Sequence, residues 1–199
     1  LAVILAIVVG FGVLGDKRLL ASGYSNENAV YEIGRAKTEY VELGLPTGFF
    51  FLYMYASSPF GNLGNQEAYG NVSRGSLADL VYFTILPDFV QKRVYGENYR
   101  DYFPSILDYP ELNVSTGFAK AYIIAGYSGI IVLYAWMLVF VYGSMLLIGV
   151  NYRVAAGAIF SAFMGMMVFD NMLVFASGFL QPIILAVVPR LSFKNMRLI

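Results

Sequence analysis

Five cations, Arg74, Lys92, Arg93, Arg100 and Lys120, share the segment 58–120 with three spaced tyrosines, Tyr95, Tyr99 and Tyr102. An arginine presents a planar fork of donors that grips phosphate oxygens in pairs. A tyrosine offers an apolar ring face and a hydroxyl, which together suit a sugar ring. Asn62, Asn65, Asn71 and Asn113 add amide donors and acceptors for sugar hydroxyls. These residue types fit a lipid-linked glycan. Arg74, Arg93, Arg100 and Lys120 are the candidates for its diphosphate. Tyr55, Asn62, Tyr95, Tyr99, Tyr102, Asn113 and Tyr122 are the candidates for its sugars. The same residues also read as a solvated loop with an interfacial aromatic belt, in which Arg93 and Glu97 form a surface ion pair of little energetic weight.

Carboxylates of this segment, among them Asp79, Asp88, Glu97, Asp101, Asp108 and Glu111, follow no catalytic spacing, so no catalytic residue is assigned. The chain has no histidine, hence neither the commonest general base nor the commonest metal ligand. It has no cysteine, which excludes disulfides and thiolate-bound metals. With no phosphate-binding glycine loop and no DxD-like motif, neither a metal nor a cofactor is expected. The formal net charge is zero, and no nucleic-acid partner is expected either.

Hydrophobic residues make up 58% of the 199 positions and charged ones 13%. That is too apolar for a water-soluble domain of this size, and the apolar residues fall in long runs. The expected fold is all-α: a polytopic transmembrane helix bundle with a partly helical extracytoplasmic loop. We expect one integral membrane domain over 1–199, with spans at about 1–14, 43–62, 119–150, 154–169 and 172–188, and the loop over 58–120. Leu1 lies in an apolar run with no basic segment before it, so the chain reads as starting inside a span. One helix over 154–188 would measure ~52 Å against a hydrocarbon core of ~30 Å, so it should break. Asp170-Asn171 is the expected hairpin tip, which makes Asp170 a turn residue whose change to Asn is neutral. A break at Ser177-Gly178 would instead leave Asp170 inside the membrane. Alternation puts Lys17, Arg18, Arg35, Lys37, Arg153, Arg190, Lys194 and Arg197 on one side and the remaining five basic residues on the other. The richer side should face the cytoplasm.

Local signals subdivide the loop. In "YASSPFGNLGN", from Tyr55, Pro59 is expected to end a span. Ser76 and Asp79 form a capping-box pattern ahead of Leu77, Leu80, Val81, Thr84 and Ile85, which predicts an amphipathic helix on the membrane surface or against the spans. Pro87 should stop or kink it. Tyr95, Tyr99 and Tyr102 would line one helix face, although Gly96 opposes that helix.

Two stretches carry a family resemblance. The first is Tyr55 through "SSPFGNL"; the second is "NVSTGFAKAYIIAGYSGII", from Asn113 to Ile131. Together they resemble the bacterial O-antigen polymerases, the oligosaccharide repeat-unit polymerases, with Phe118, Tyr122 and the Gly126/Gly129 pair matching the second stretch. Ile124-Ala125 stand where an acidic residue often precedes the first glycine. The family has about twice as many spans, so the chain resembles its C-terminal portion. The resemblance implies a metal-independent glycosyltransferase of the bacterial inner membrane, multi-pass and working on the periplasmic face. Its substrate would be an undecaprenyl-diphosphate-linked oligosaccharide, and its product O-antigen, capsule or exopolysaccharide. Membrane lipids and a chain-length regulator protein would be its other partners. O-antigen ligases are close in chemistry but commonly rely on histidine. The alternatives are a glycan or lipid transporter or flippase, and a non-catalytic membrane subunit.

Overall fold

The computed structural model describes residues 2–21, 23–24, 29–107 and 114–195. Among them every regular element is a helix and none is a strand. The chain divides into two compact units, one of Leu1–Gly61 with Leu107–Asn113, the other of Asn62–Ile106 with Val114–Ile199.

In the first unit, α1 (Ala2–Ala21) and α4 (Thr47–Ala68, of which 47–61 belong here) meet at a glycine pair. A Cβ on Gly12 would collide with the Gly48 backbone, so the two helices approach without side chains between them. Two short helices, α2 (Ala29–Ile33) and α3 (Thr38–Glu42), supply Val30 and Tyr40 to a core built on Phe50, Phe51 and Met54.

Helix α4 does not stop at Pro59, contrary to the sequence expectation; it continues to Ala68. Proline removes one backbone donor, and tertiary anchoring outweighs that loss. One turn past Pro59, Asn62 is fully buried and donates to the Val114 carbonyl at 2.7 Å. One turn further, Gln66 donates to the carbonyls of Asn62 (2.6 Å) and Ile106 (2.7 Å). Its own carbonyl oxygen accepts from Asn71 Nδ2 (2.6 Å) and the Ile106 amide (2.9 Å). The buried amide is thus saturated, which is the condition for a polar group at such a place.

The second unit continues with α5 (Leu77–Thr84), α6 (Asp88–Tyr95), α7 (Ala119–Leu147), α8 (Arg153–Met166) and α9 (Ala176–Asn195). The capping box forms as predicted: the Asp79 amide donates to Ser76 Oγ at 3.1 Å, and the Ser76 amide donates to Asp79 Oδ2 at 2.8 Å. The Ser76 hydroxyl, followed by its backbone amide, holds the Asp79 pKa below the usual carboxylate value. A depressed folded-state pKa means that this stabilisation is present above the unfolded carboxylate pKa and fades as pH falls through the lowered one. Ser76→Ala is expected to cost ~1 kcal/mol, read as a lower melting temperature in detergent; an unchanged melting temperature would count against the cap. Helix α5 packs on α7 through Leu80 and Phe83, with Thr84 buried beside them. Leu77, assigned to the same face by spacing, stands 72% exposed, because the buried face begins one turn later.

Among the described residues, α7 alone is long and apolar enough to cross a membrane. Its Ile131, Tyr134, Val139, Tyr142 and Leu146 are exposed, whereas the core helix of a water-soluble domain would hide them. Two of the other expected spans fall short of that length or apolarity. Helix α8 has 14 residues, ~21 Å at 1.5 Å each, and α4 becomes polar after Pro59.

Helix α7 is also broken. Ala125 is non-helical, and Gly126 has φ 63 and ψ −149, a region open to glycine. The break bends the first arm back, so that a Cβ on Gly129 would run into the Ala121 carbonyl oxygen. The carbonyls of Ile123 and Ile124 accept from the amides of Ser73 (2.7 Å) and Gly75 (2.8 Å), and Ser128 Oγ donates to the Ala125 carbonyl (2.6 Å). The carbonyls of Ile123 and Ile124 are therefore satisfied from outside the helix and that of Ala125 from within it, as an apolar environment requires. After the break, residues 127–147 form an arm of ~31 Å, close to the ~30 Å of a hydrocarbon core.

Candidate functional site

The site is assembled in the second unit from three segments: α5–α6 with the turn after it, the start of α7, and the turn between α8 and α9. Pro87 begins α6, and Gly96, at φ 80, ends it. A 3₁₀ turn over Glu97–Asp101 follows. The three tyrosines therefore do not share one helix face. Gly96 turns the chain so that Tyr99 is buried and Tyr102 comes back against Tyr95, with ring centroids 5.2 Å apart. Phe83 on α5 is the hub: Tyr95 lies 4.6 Å, Phe103 5.2 Å and Tyr102 5.6 Å from it. Ring stacking at these distances adds to simple burial.

Two cations border this aromatic cluster. Lys120 Nζ stands 5.6 Å from the Phe83 ring centroid and donates to the Arg100 carbonyl at 3.4 Å. Arg100 Nε donates to the Tyr99 hydroxyl at 3.0 Å, and its guanidinium reaches the open surface. Each cation thus lies beside an aromatic ring.

The third segment is the turn over 167–175. It falls at Asp170-Asn171 as expected, while Ser177 and Gly178 lie inside α9. Hydrogen bonds sew it to the other two segments. Gly117 N donates to Met167 O (2.8 Å), Asn171 Nδ2 to Thr84 O (2.8 Å), and Asp88 N to Val174 O (2.7 Å). Asp88 Oδ1 accepts the Ala176 amide at the start of α9 (3.2 Å). A Cβ on Gly117 would sit 2.9 Å from the Asn171 amide nitrogen, so the close approach needs glycine. This sewing sets Asp170 in the field of Arg100 and Lys120. Asp170 is an exposed residue, yet protein packed around its carboxyl removes part of its water, which raises its pKa above the ordinary value. The Asn171 amide, 2.7 Å from Oδ1, and the two cations pull the other way. No side-chain ion pair closes between Asp170 and either cation among the described residues.

Of the residues singled out by sequence, Arg100, Lys120, Tyr95, Tyr99 and Tyr102 converge. Arg93 is exposed on α6, and Glu97 pairs with Lys92 at 3.5 Å, not with Arg93. Arg74, at φ 50, is exposed at the crest of the loop that serves the α7 break. Asn62 is buried, with its amide committed to Val114. Tyr122 is buried against Tyr127 in an edge contact at 5.3 Å. Tyr55 belongs to the first unit, where it stacks on Phe51 and accepts from Arg18 Nη1 at 2.7 Å. Asn113 lies outside the described residues. Sequence reasoning missed Phe83 and the approach of Asp170, since both depend on contacts between distant segments.

Among the described residues, these features define an all-helical protein with one helix long and apolar enough for a membrane and a cationic, aromatic site beside that helix's first turn. No protein-family model, curated protein or solved structure matches the chain.

Proposed function

We propose that this chain acts in a multi-pass protein of the bacterial inner membrane that joins polyprenyl-diphosphate-linked oligosaccharide units into a polysaccharide on the periplasmic face. The observation that carries this reading is that Lys120 lies over Phe83, the hub of the Tyr95–Tyr102 cluster, and bonds the backbone carbonyl of Arg100, whose guanidinium lies over Tyr99. In the reaction, an acceptor hydroxyl attacks the anomeric carbon of the donor sugar. The bond from that carbon to the diphosphate oxygen breaks, and the electron pair leaves on the diphosphate. Arg100 offers a fork of donors and Lys120 a point charge to that growing negative charge. The ring faces of Tyr95 and Tyr102 suit the adjoining sugars, and Asn62, with its amide engaged, is left out of the sugar-facing set.

A transporter draws on the broken α7, because unwound helices build transport sites. Here, however, Ile123 and Ile124 already accept loop amides, so their carbonyls are not presented to a solute. Cells lacking the complete gene should carry single repeat units in place of long chains, and the gene should restore length. An unchanged chain-length distribution would exclude the polymerase. A cysteine placed at Asn98 in this cysteine-free chain should be labelled from the periplasm; labelling from the cytoplasm alone would put the site on the wrong side.

A further inference from the structure

We infer that Asp170 takes the proton of the acceptor hydroxyl in this transfer, an inference that rests on the polymerase reading. Three carboxylates act on the Arg100–Lys120 pair: Asp88, Asp101 and Asp170. Asp88 is engaged by the first amide of α9, Asp101 acts on Lys120, and Asp170 acts on both cations. Asp170 uses Oδ1 for the Asn171 amide, and its Oδ2 makes no hydrogen bond among the described residues. It is fixed by a turn tied to α5, α6 and the segment before α7, so its position relative to both cations is set by backbone.

The chemistry follows from that placement. The acceptor O–H bond breaks, and the proton moves to Oδ2 of Asp170. The freed electron pair on the acceptor oxygen forms the new bond to the anomeric carbon. The old bond to the diphosphate breaks with its electrons on the leaving group, held by Arg100 and Lys120. The protonated carboxyl then returns its proton to water. A bound diphosphate adds negative charge near the same cations, which raises the proton affinity of Asp170 while donor is present. Crowding by protein acts in the same direction.

The test uses the complete protein in lipid bilayer discs. Its probe is the lipid-linked single unit extracted from cells lacking the gene. Asp170→Asn should slow transfer by ~10²-fold or more. In the unaltered protein the rate should fall as pH drops through the Asp170 pKa, and the Asn variant should lack that acidic limb. Asp170→Glu should recover part of the rate. Binding of the lipid-linked unit should be kept or tightened in the Asn variant, since the cations then face the diphosphate without a competitor. An Asn variant with full rate, or with its acidic limb intact, overturns the role of Asp170 while leaving the polymerase standing. So does an Asn variant that loses binding together with rate, because Asp170 would then only hold the cations in place. No product from the unaltered protein overturns the polymerase, and the role of Asp170 with it.

Discussion

Arg100→Ala is expected to leave cells with single-unit glycans at unchanged protein abundance. The rate should drop by about 10²–10³, equivalent to ~2.7–4 kcal/mol, the usual loss when one donor to a developing charge is removed. In the proposed transfer, the negative charge on the diphosphate grows as the glycosidic bond breaks, so the guanidinium would stabilise the transition state more than the bound donor. Arg100→Lys keeps the charge but not the fork, and should restore chain length only in part. The guanidinium is exposed and bonded to the neighbouring Tyr99 hydroxyl, so the fold places little demand on it. Tyr99→Phe serves as the control: it removes that bond and leaves the cation, and its effect should be smaller. Arg74 and Arg93 stand apart from the aromatic cluster, and their alanine variants should retain longer chains. Normal chain length in Arg100→Ala would remove the diphosphate from this site.

Gly129→Ala should damage the protein itself. The added methyl meets the Ala121 carbonyl oxygen, a backbone atom in a fully buried residue, so nothing flexible can give way. The expected cost lies at the upper end of the ~1–3 kcal/mol typical of overpacking. It should be seen as a lower melting temperature and less protein in the membrane. Gly143→Ala lies in the same helix with open space around it, and should be neutral or stabilising. Equal stability of the two variants would show that the α7 break does not hold the first arm as described.

Local chemistry was legible in the chain. Ser76 and Asp79 sit three residues apart and cap α5 through each other's backbone amides. The excess length of 154–188 and the turn character of Asp170-Asn171 located the break between α8 and α9. What was not legible depends on residues far apart in sequence. Pro59 reads as a helix end, and only the anchoring of Asn62 and Gln66 to Val114 and Ile106 explains why α4 continues. The tyrosine spacing suggested one helix face, whereas Gly96 rearranged the three rings around Phe83. Asp170 read as a neutral turn residue, because nothing near it in sequence announces the cations it faces. The Gly126/Gly129 pair stood out as a pattern, but its reason, the Ala121 carbonyl behind Gly129, is a matter of packing.

The hydrogen bonds from Ser73 and Gly75 to the broken helix also bear on how α7 behaves outside its own protein. The donors lie roughly 50 residues before the carbonyls they serve, and translation delivers them first. Helix α7 therefore emerges with its partners already made, and closes its break against them. Transplanted alone, as a membrane anchor for another protein, it would carry two freed carbonyls in an apolar stretch with nothing to satisfy them, at several kcal/mol each. Such a chimera would have to straighten Gly126 into regular helix or insert poorly. The most apolar helix of the chain is thus not a portable part; its shape belongs jointly to the span and to the polar loop that precedes it.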